Sequence, residues 1–74
     1  MYNFLFQYED GTEHIFNNIF KVEYQDSFSL KVLQGEEMLQ GNIPVNHNMN
    51  LFAENAKYSV SGKDLKIVSV LKVG

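Results

Sequence analysis

Residues 2 to 16 read YNFLFQYEDGTEHIF, and this stretch decides the fold. Tyr2, Phe4, Phe6 and Tyr8 recur at every second position, with Asn3, Leu5 and Gln7 between them. That is the period of a strand with one face buried. Glu9-Asp10-Gly11 then suits a three-residue hairpin loop whose glycine takes the left-handed conformation. With that loop Tyr8 pairs with Thr12, Phe6 with His14, Phe4 with Phe16 and Leu5 with Ile15, so partners match in character. A two-residue Asp10-Gly11 loop would set Phe4 against Asn17 and Tyr8 against Glu13, a poorer match.

The same period continues outward. Asn17 and Asn18 break the run before IFKVEY, in which Phe20, Val22 and Tyr24 share a face. A loop of Gln25-Asp26-Ser27 pairs Tyr24 with Phe28, Val22 with Leu30 and Phe20 with Val32, which predicts a second hairpin. Its weak point is Lys21 opposite Lys31, acceptable only on a solvated face. QGEEMLQG, between two glycines, is read as a turn into a short strand carrying Met38 and Leu39. Gly62-Lys63 suits a type II′ turn, giving a third hairpin with Val60 against Leu65 and Tyr58 against Ile67. In the last strand Leu65, Ile67, Leu71 and Val73 share one side while Val68 and Val70 lie on the other. A strand apolar on both sides needs cover on both, so Val68 and Val70 are candidates for self-association.

The expected fold is therefore all-β: one domain over residues 1–74, a small antiparallel meander of about six to eight short strands. Such a chain hides its edges as a barrel-like or two-layer sheet. One short helical turn near 48–56 is the competing local reading, with Asn48 or Asn50 as its N-cap.

Composition bounds the function. The 74 residues contain no cysteine, so neither a disulfide framework nor a thiolate zinc site is available. Net charge is −3, and all six basic residues are lysines. Without arginine's planar fork, and with an acidic balance, nucleic-acid binding is disfavoured. Aromatic residues make up 14% of the chain, but Glu9, Asp10, Glu13 and Glu23 flank them where a base-stacking platform would carry cations. The rings are read as core. Tyr2, Tyr8 and Tyr24, at strand ends, suit a protein-contact rim. No basic leader or long apolar run is present, which leads to the expectation of a cytoplasmic protein without a membrane partner.

The stretch IPVNHNMNLF, residues 43 to 52, concentrates polar side chains. Read as an edge strand beginning near Pro44, it sets His47 in an apolar row and Asn42, Asn46, Asn48 and Asn50 on the opposite face. His14 and His47 are a thin inventory for a metal, no serine sits in a Gly-x-Ser-x-Gly elbow, and the carboxylate pairs Glu9-Asp10 and Glu36-Glu37 alternate sides in extended chain. No cofactor and no enzymatic activity are expected.

What remains is a small non-enzymatic protein-binding module. The residue usage, rich in Asn, Lys, Ile, Phe and Tyr with no Arg or Trp, looks like that of an AT-rich bacterial genome or its phages. A short, single-domain chain without motifs resembles accessory proteins of phages and mobile elements. Occlusion of a host protein's surface is the role expected of it. The candidate contact residues are Tyr8, Glu9, Asp10, Glu13, Asn46, His47, Asn48 and Asn50. Alternatives are a homo-oligomer sequestering a small molecule, and an acidic nucleic-acid mimic using Glu9, Asp10, Glu13, Glu36 and Glu37.

Overall fold

The first hairpin sets one wall of the core. In the computed structural model, which describes residues 1–41 and 43–74, β1 (Tyr2–Tyr8) pairs antiparallel with β2 (Glu13–Ile19). The observed register is the one read from the sequence: Phe4 opposite Phe16, Leu5 opposite Ile15, Phe6 opposite His14. Gly11 sits at φ 90°, and its amide donates to the Tyr8 carbonyl at 3.0 Å. The Asp10 carboxylate accepts from the Thr12 amide at 2.9 Å, fixing the loop. At the far end Asn18, at φ 59°, forms a bulge, and its amide donates to Asn3 Oδ1 at 3.1 Å. The extra residue turns Ile19 rather than Asn18 inward, where it is fully buried.

A second sheet faces this one. The chain crosses at Phe20, whose amide donates to the Phe52 carbonyl, and enters β3 (Lys21–Asp26). It then runs through β4 (Ser29–Gln34), the helical turn α1 (Glu37–Gln40), β5 (Met49–Ala53), β6 (Ala56–Val60) and β7 (Leu65–Lys72). The first sheet has the order β2-β1-β7 and the second β4-β3-β5-β6. The molecule is thus an all-β two-layer sandwich, not a closed barrel. Phe4, Phe6, Ile19, Val22, Leu51 and Met38 are its most deeply buried large side chains, and a residue of this size contributes roughly 1.5–3 kcal/mol when fully buried. No helix among the described residues is long and apolar enough to cross a membrane.

Four local expectations are corrected. The β3–β4 loop is Ser27-Phe28, not Gln25-Asp26-Ser27, so Val22 faces Leu33, Glu23 faces Val32 and Gln25 faces Leu30. This register separates Lys21 from Lys31, which stand opposite Gln34 and Tyr24. It also turns Leu30 and Val32 outward. Residues 37–40 are helical rather than extended, because Glu, Met, Leu and Gln are good helix formers. Gly35 at φ 57° ends the strand before them. Residues 49–60 form a hairpin rather than a helical turn, since β5 is a central strand whose two neighbours both supply ladder bonds. N-cap propensity is weak against that tertiary context.

The fourth correction concerns Gly62. Strands β6 and β7 belong to different sheets, and Val60 and Leu65 are buried opposite Met49 and Tyr8 rather than opposite each other. Gly62 serves close approach instead: a Cβ there would overlap the His47 backbone. In β7 a register shift where Tyr8 meets Leu65 and Gln7 meets Ile67 brings Leu65 inward with Val68 and Val70. The helical turn α1 packs against β4 and β7 with Met38 buried beneath it, closing that side of the sandwich.

Candidate functional site

Strand directions gather four connections at one end of the sandwich: residues 9–12, 27–28 and 61–64, and the 43–48 connection where it arrives at Asn46, His47 and Asn48. All but the 27–28 loop are tied to one another. The Tyr8 hydroxyl donates to the Ser61 carbonyl at 2.9 Å, the Glu9 amide to the Asp64 carbonyl at 2.8 Å, and the Gly62 amide to Asn48 Oδ1 at 2.9 Å. All eight candidate contact residues lie here or on the adjoining strand ends: Tyr8, Glu9, Asp10, Glu13, Asn46, His47, Asn48 and Asn50. Pro44 is half-buried in the connection, not on an edge strand. Asn42, assigned to the same polar face, lies outside the described residues.

Charge at this end is mainly negative. Glu9, Asp10 and Asp64 stand in the loops, Glu13 and Asp26 flank them, and Lys63 is the loop lysine. The Thr12 amide, then its hydroxyl, holds the Asp10 carboxyl below its usual range. Burial pushes the Tyr8 phenol above its ordinary value. His47 is a wedge. Its Nε2 faces Asp26 Oδ1 at 3.8 Å, its Nδ1 lies 2.7 Å from Asn46 Oδ1, and its ring meets Tyr24 edge-on at 5.7 Å. His14 belongs to another cluster, a run of rings along the open side between β2 and β6. There Tyr8 and His14 lie 5.7 Å apart and Phe16 and Tyr58 5.0 Å apart. Among the described residues, no group of three His, Asp or Glu side chains is placed to hold a metal ion.

The β3–β4 hairpin projects from the same end with its apolar row outward, the reverse of what its alternation predicts. Ser27, at φ 55°, makes the tight turn, leaving Phe28 at the tip fully exposed at 101%. Leu30 and Val32 follow along the outward side of β4, 59% and 41% exposed. Strand β4 is an edge of its sheet, so this row stands beside unpaired backbone donors and acceptors. A signal for it was present: the register with Leu30 and Val32 inward required two facing lysines.

Beside Leu30 the outward side of the second sheet forms a groove of about 530 Å³, lined by Glu23, Gln25, Asn48, Asn50, Ser59 and Ser61. Ser59 donates to Asn50 Oδ1 at 3.1 Å, and Glu23 is 3.7 Å from Lys21. Farther along, the Lys21 ammonium lies 4.3 Å from the centre of the Phe52 ring.

The remaining candidates are placed elsewhere. Glu36 pairs with Lys72 at 2.6 Å, and this contact raises the lysine's pKa. Glu37 Oε1 accepts from the Gln34 amide at 3.0 Å. Both stand at the end opposite Glu9, Asp10 and Glu13, so the five carboxylates proposed for nucleic-acid mimicry form no single row. Val68 and Val70 pack against the core, while Ile67 and Leu71 take the outward positions. No known family model matches the chain, and neither a curated protein nor a solved structure is similar to it.

Proposed function

We propose that the chain is a protein-binding module that docks through the β3–β4 hairpin and the loop end beside it. The supporting observation is Phe28: a fully exposed phenylalanine at a hairpin tip, continued by Leu30 and Val32 along an open edge. An aromatic side chain of this kind gives an interface its anchor when it enters a pocket, and polar neighbours form the rim. Here the rim is acidic, with Asp26, Glu9, Asp10 and Asp64. The matching partner surface is an apolar cleft bordered by basic groups. Occlusion of such a cleft requires no chemistry from this chain, which fits an accessory role in a phage or mobile element.

The test is a photo-crosslinking amino acid placed at position 28 and, in a second variant, at position 55 in the opposite-end loop. The expected result is one dominant partner crosslinked from position 28 alone, with co-purification lost in Phe28→Ser. Equal crosslinking from both positions, or a partner retained by Phe28→Ser, would remove the proposal.

The groove favours a second reading, a small neutral ligand held by amide and hydroxyl side chains. Its walls offer donors and acceptors without an unpaired cation, so the ligand class is uncharged and hydroxyl- or amide-rich. A metabolite thermal-shift screen in which Asn50→Leu abolishes the response would support it. No response to any such compound would retire it.

A further inference from the structure

We infer that the outward face of the β2-β1-β7 sheet is the contact surface of a homodimer, with each copy's Ile15 seated over the partner's Ser69. This surface is distinct from the hairpin tip and does not depend on the function proposed for it. In a two-layer sandwich the outer side of a sheet is normally polar. Here Ile15 is 66% exposed, Leu71 64% and Ile67 45%, with half-buried Leu5 at the centre of the face. Formal charge is nearly absent from it. Glu13 at the margin accepts a hydrogen bond from Gln7 at 2.9 Å. In a chain of net charge −3 whose loop end is acidic, this is the face that two identical copies can bring together without repulsion.

The pattern is also self-complementary. Ile15, Leu5 and Ser69 form one row across the sheet, since Leu5 is the partner of Ile15 in β2 and of Ser69 in β7. Ser69 is small and stands between Ile67 and Leu71 on the same side of β7, so the row has a projection at one end and a depression at the other. A two-fold axis along β1, midway between two facing sheets, sets β2 over the partner's β7 and β1 over the partner's β1. Ile15 then enters the depression at the partner's Ser69, and the reverse contact forms at the same time. Leu5 meets the partner's Leu5 at the centre. The packing is the aligned face-to-face kind, with sheets about 10 Å apart. Three strands of about seven residues cover only roughly 14 by 23 Å, well under the roughly 800 Å² per partner of a standard specific interface. The dimer is therefore concentration-dependent, with dissociation in the micromolar range or weaker.

Sedimentation of the full chain from about 10 µM to about 1 mM tests this. The expected result is a rise in weight-average mass from monomer toward dimer. Ile15→Glu and Ser69→Lys each abolish the rise. The double variant restores it, because the introduced carboxylate of one copy meets the introduced ammonium of the other. Both positions are exposed, so far-ultraviolet dichroism should match the parent and show that the singles fold. Phe28→Ser should associate as the parent does. A monomer throughout the range, association unchanged by Ile15→Glu, or a double variant no better than the singles would each overturn the inference.

Discussion

The two hairpins β1–β2 and β3–β4 have similar alternating sequences, yet they treat their apolar rows in opposite ways. In β1 every large aromatic of the alternating set turns inward, and Phe4 and Phe6 are completely buried. In the second hairpin Phe28 at the tip and Leu30 and Val32 of β4 turn outward, and Leu33 takes the inner place opposite Val22. The turns account for the difference. Gly11 supplies a left-handed residue at no steric cost and fixes a three-residue loop. Ser27 must adopt that conformation with a side chain, in a two-residue loop that moves the register by an odd number of positions. An odd move exchanges the faces of a strand. The lesson is that an apolar row guides register only where no other strand residue competes for the inside.

The largest expected effect that sharpens this contrast is between two phenylalanines. Phe4→Ala should cost about 3–5 kcal/mol in urea unfolding, because the site is fully buried among rings and leaves a cavity. Phe28→Ala should change stability by no more than about 0.5 kcal/mol. If the two costs are alike, the hairpins do not differ in the way described.

Next in size is Gly62→Ala. The new Cβ would collide with the His47 backbone, and the displacement should cost about 1–3 kcal/mol and release the 43–48 connection. Faster amide exchange of the position-62 N–H, now donated to Asn48, is the accompanying sign. Gly11→Ala should cost about 1 kcal/mol through strain at positive φ, with nothing displaced around it. A larger loss at Gly11 than at Gly62 would contradict the distinction between a turn glycine and a close-approach glycine.

How much of this was legible follows from the same physics. The first hairpin, including loop length and register, could be read from residues 2–16 because every pair matched and one glycine fixed the turn. The all-β class followed from the period of two, which left a barrel-like and a two-layer arrangement equally open. The partition of β5, β6 and β7 between sheets was not legible. Gly62 looks like a turn glycine until the His47 backbone is seen against it. The β7 register shift that turns Leu65 to the side of Val68 and Val70 leaves no mark in composition. The gathering of Tyr8, Glu9, Asp10, Glu13, Asn46, His47, Asn48 and Asn50 at one end depends on strand directions, although their character as turn and strand-end residues was readable. Phe28, Leu30 and Val32 are not legible as surface residues for a physical reason: their alternation is that of a strand face turned to a core.

The smallest expected effect is in pH. Lys72 beside Glu36 and half-buried Tyr8 both have raised pKa values in the folded chain. Each therefore contributes stability that is present below its unfolded value, ordinarily about 10 for both types, and is lost as pH rises through the folded value. Asp10 has the opposite sign: its lowered pKa gives stability above its unfolded value, lost as pH falls through the folded one. Unfolding midpoints followed into alkali should fall less steeply in Lys72→Met than in the parent.

The β3–β4 register is the point from which the outward apolar row and the proposed docking face follow, and backbone nuclear Overhauser contacts read it directly. Cross-strand contacts between Gln25 and Leu30 and between Glu23 and Val32 are expected. Contacts pairing Val22 with Leu30 and Phe20 with Val32 would return the apolar row to the core and contradict the account.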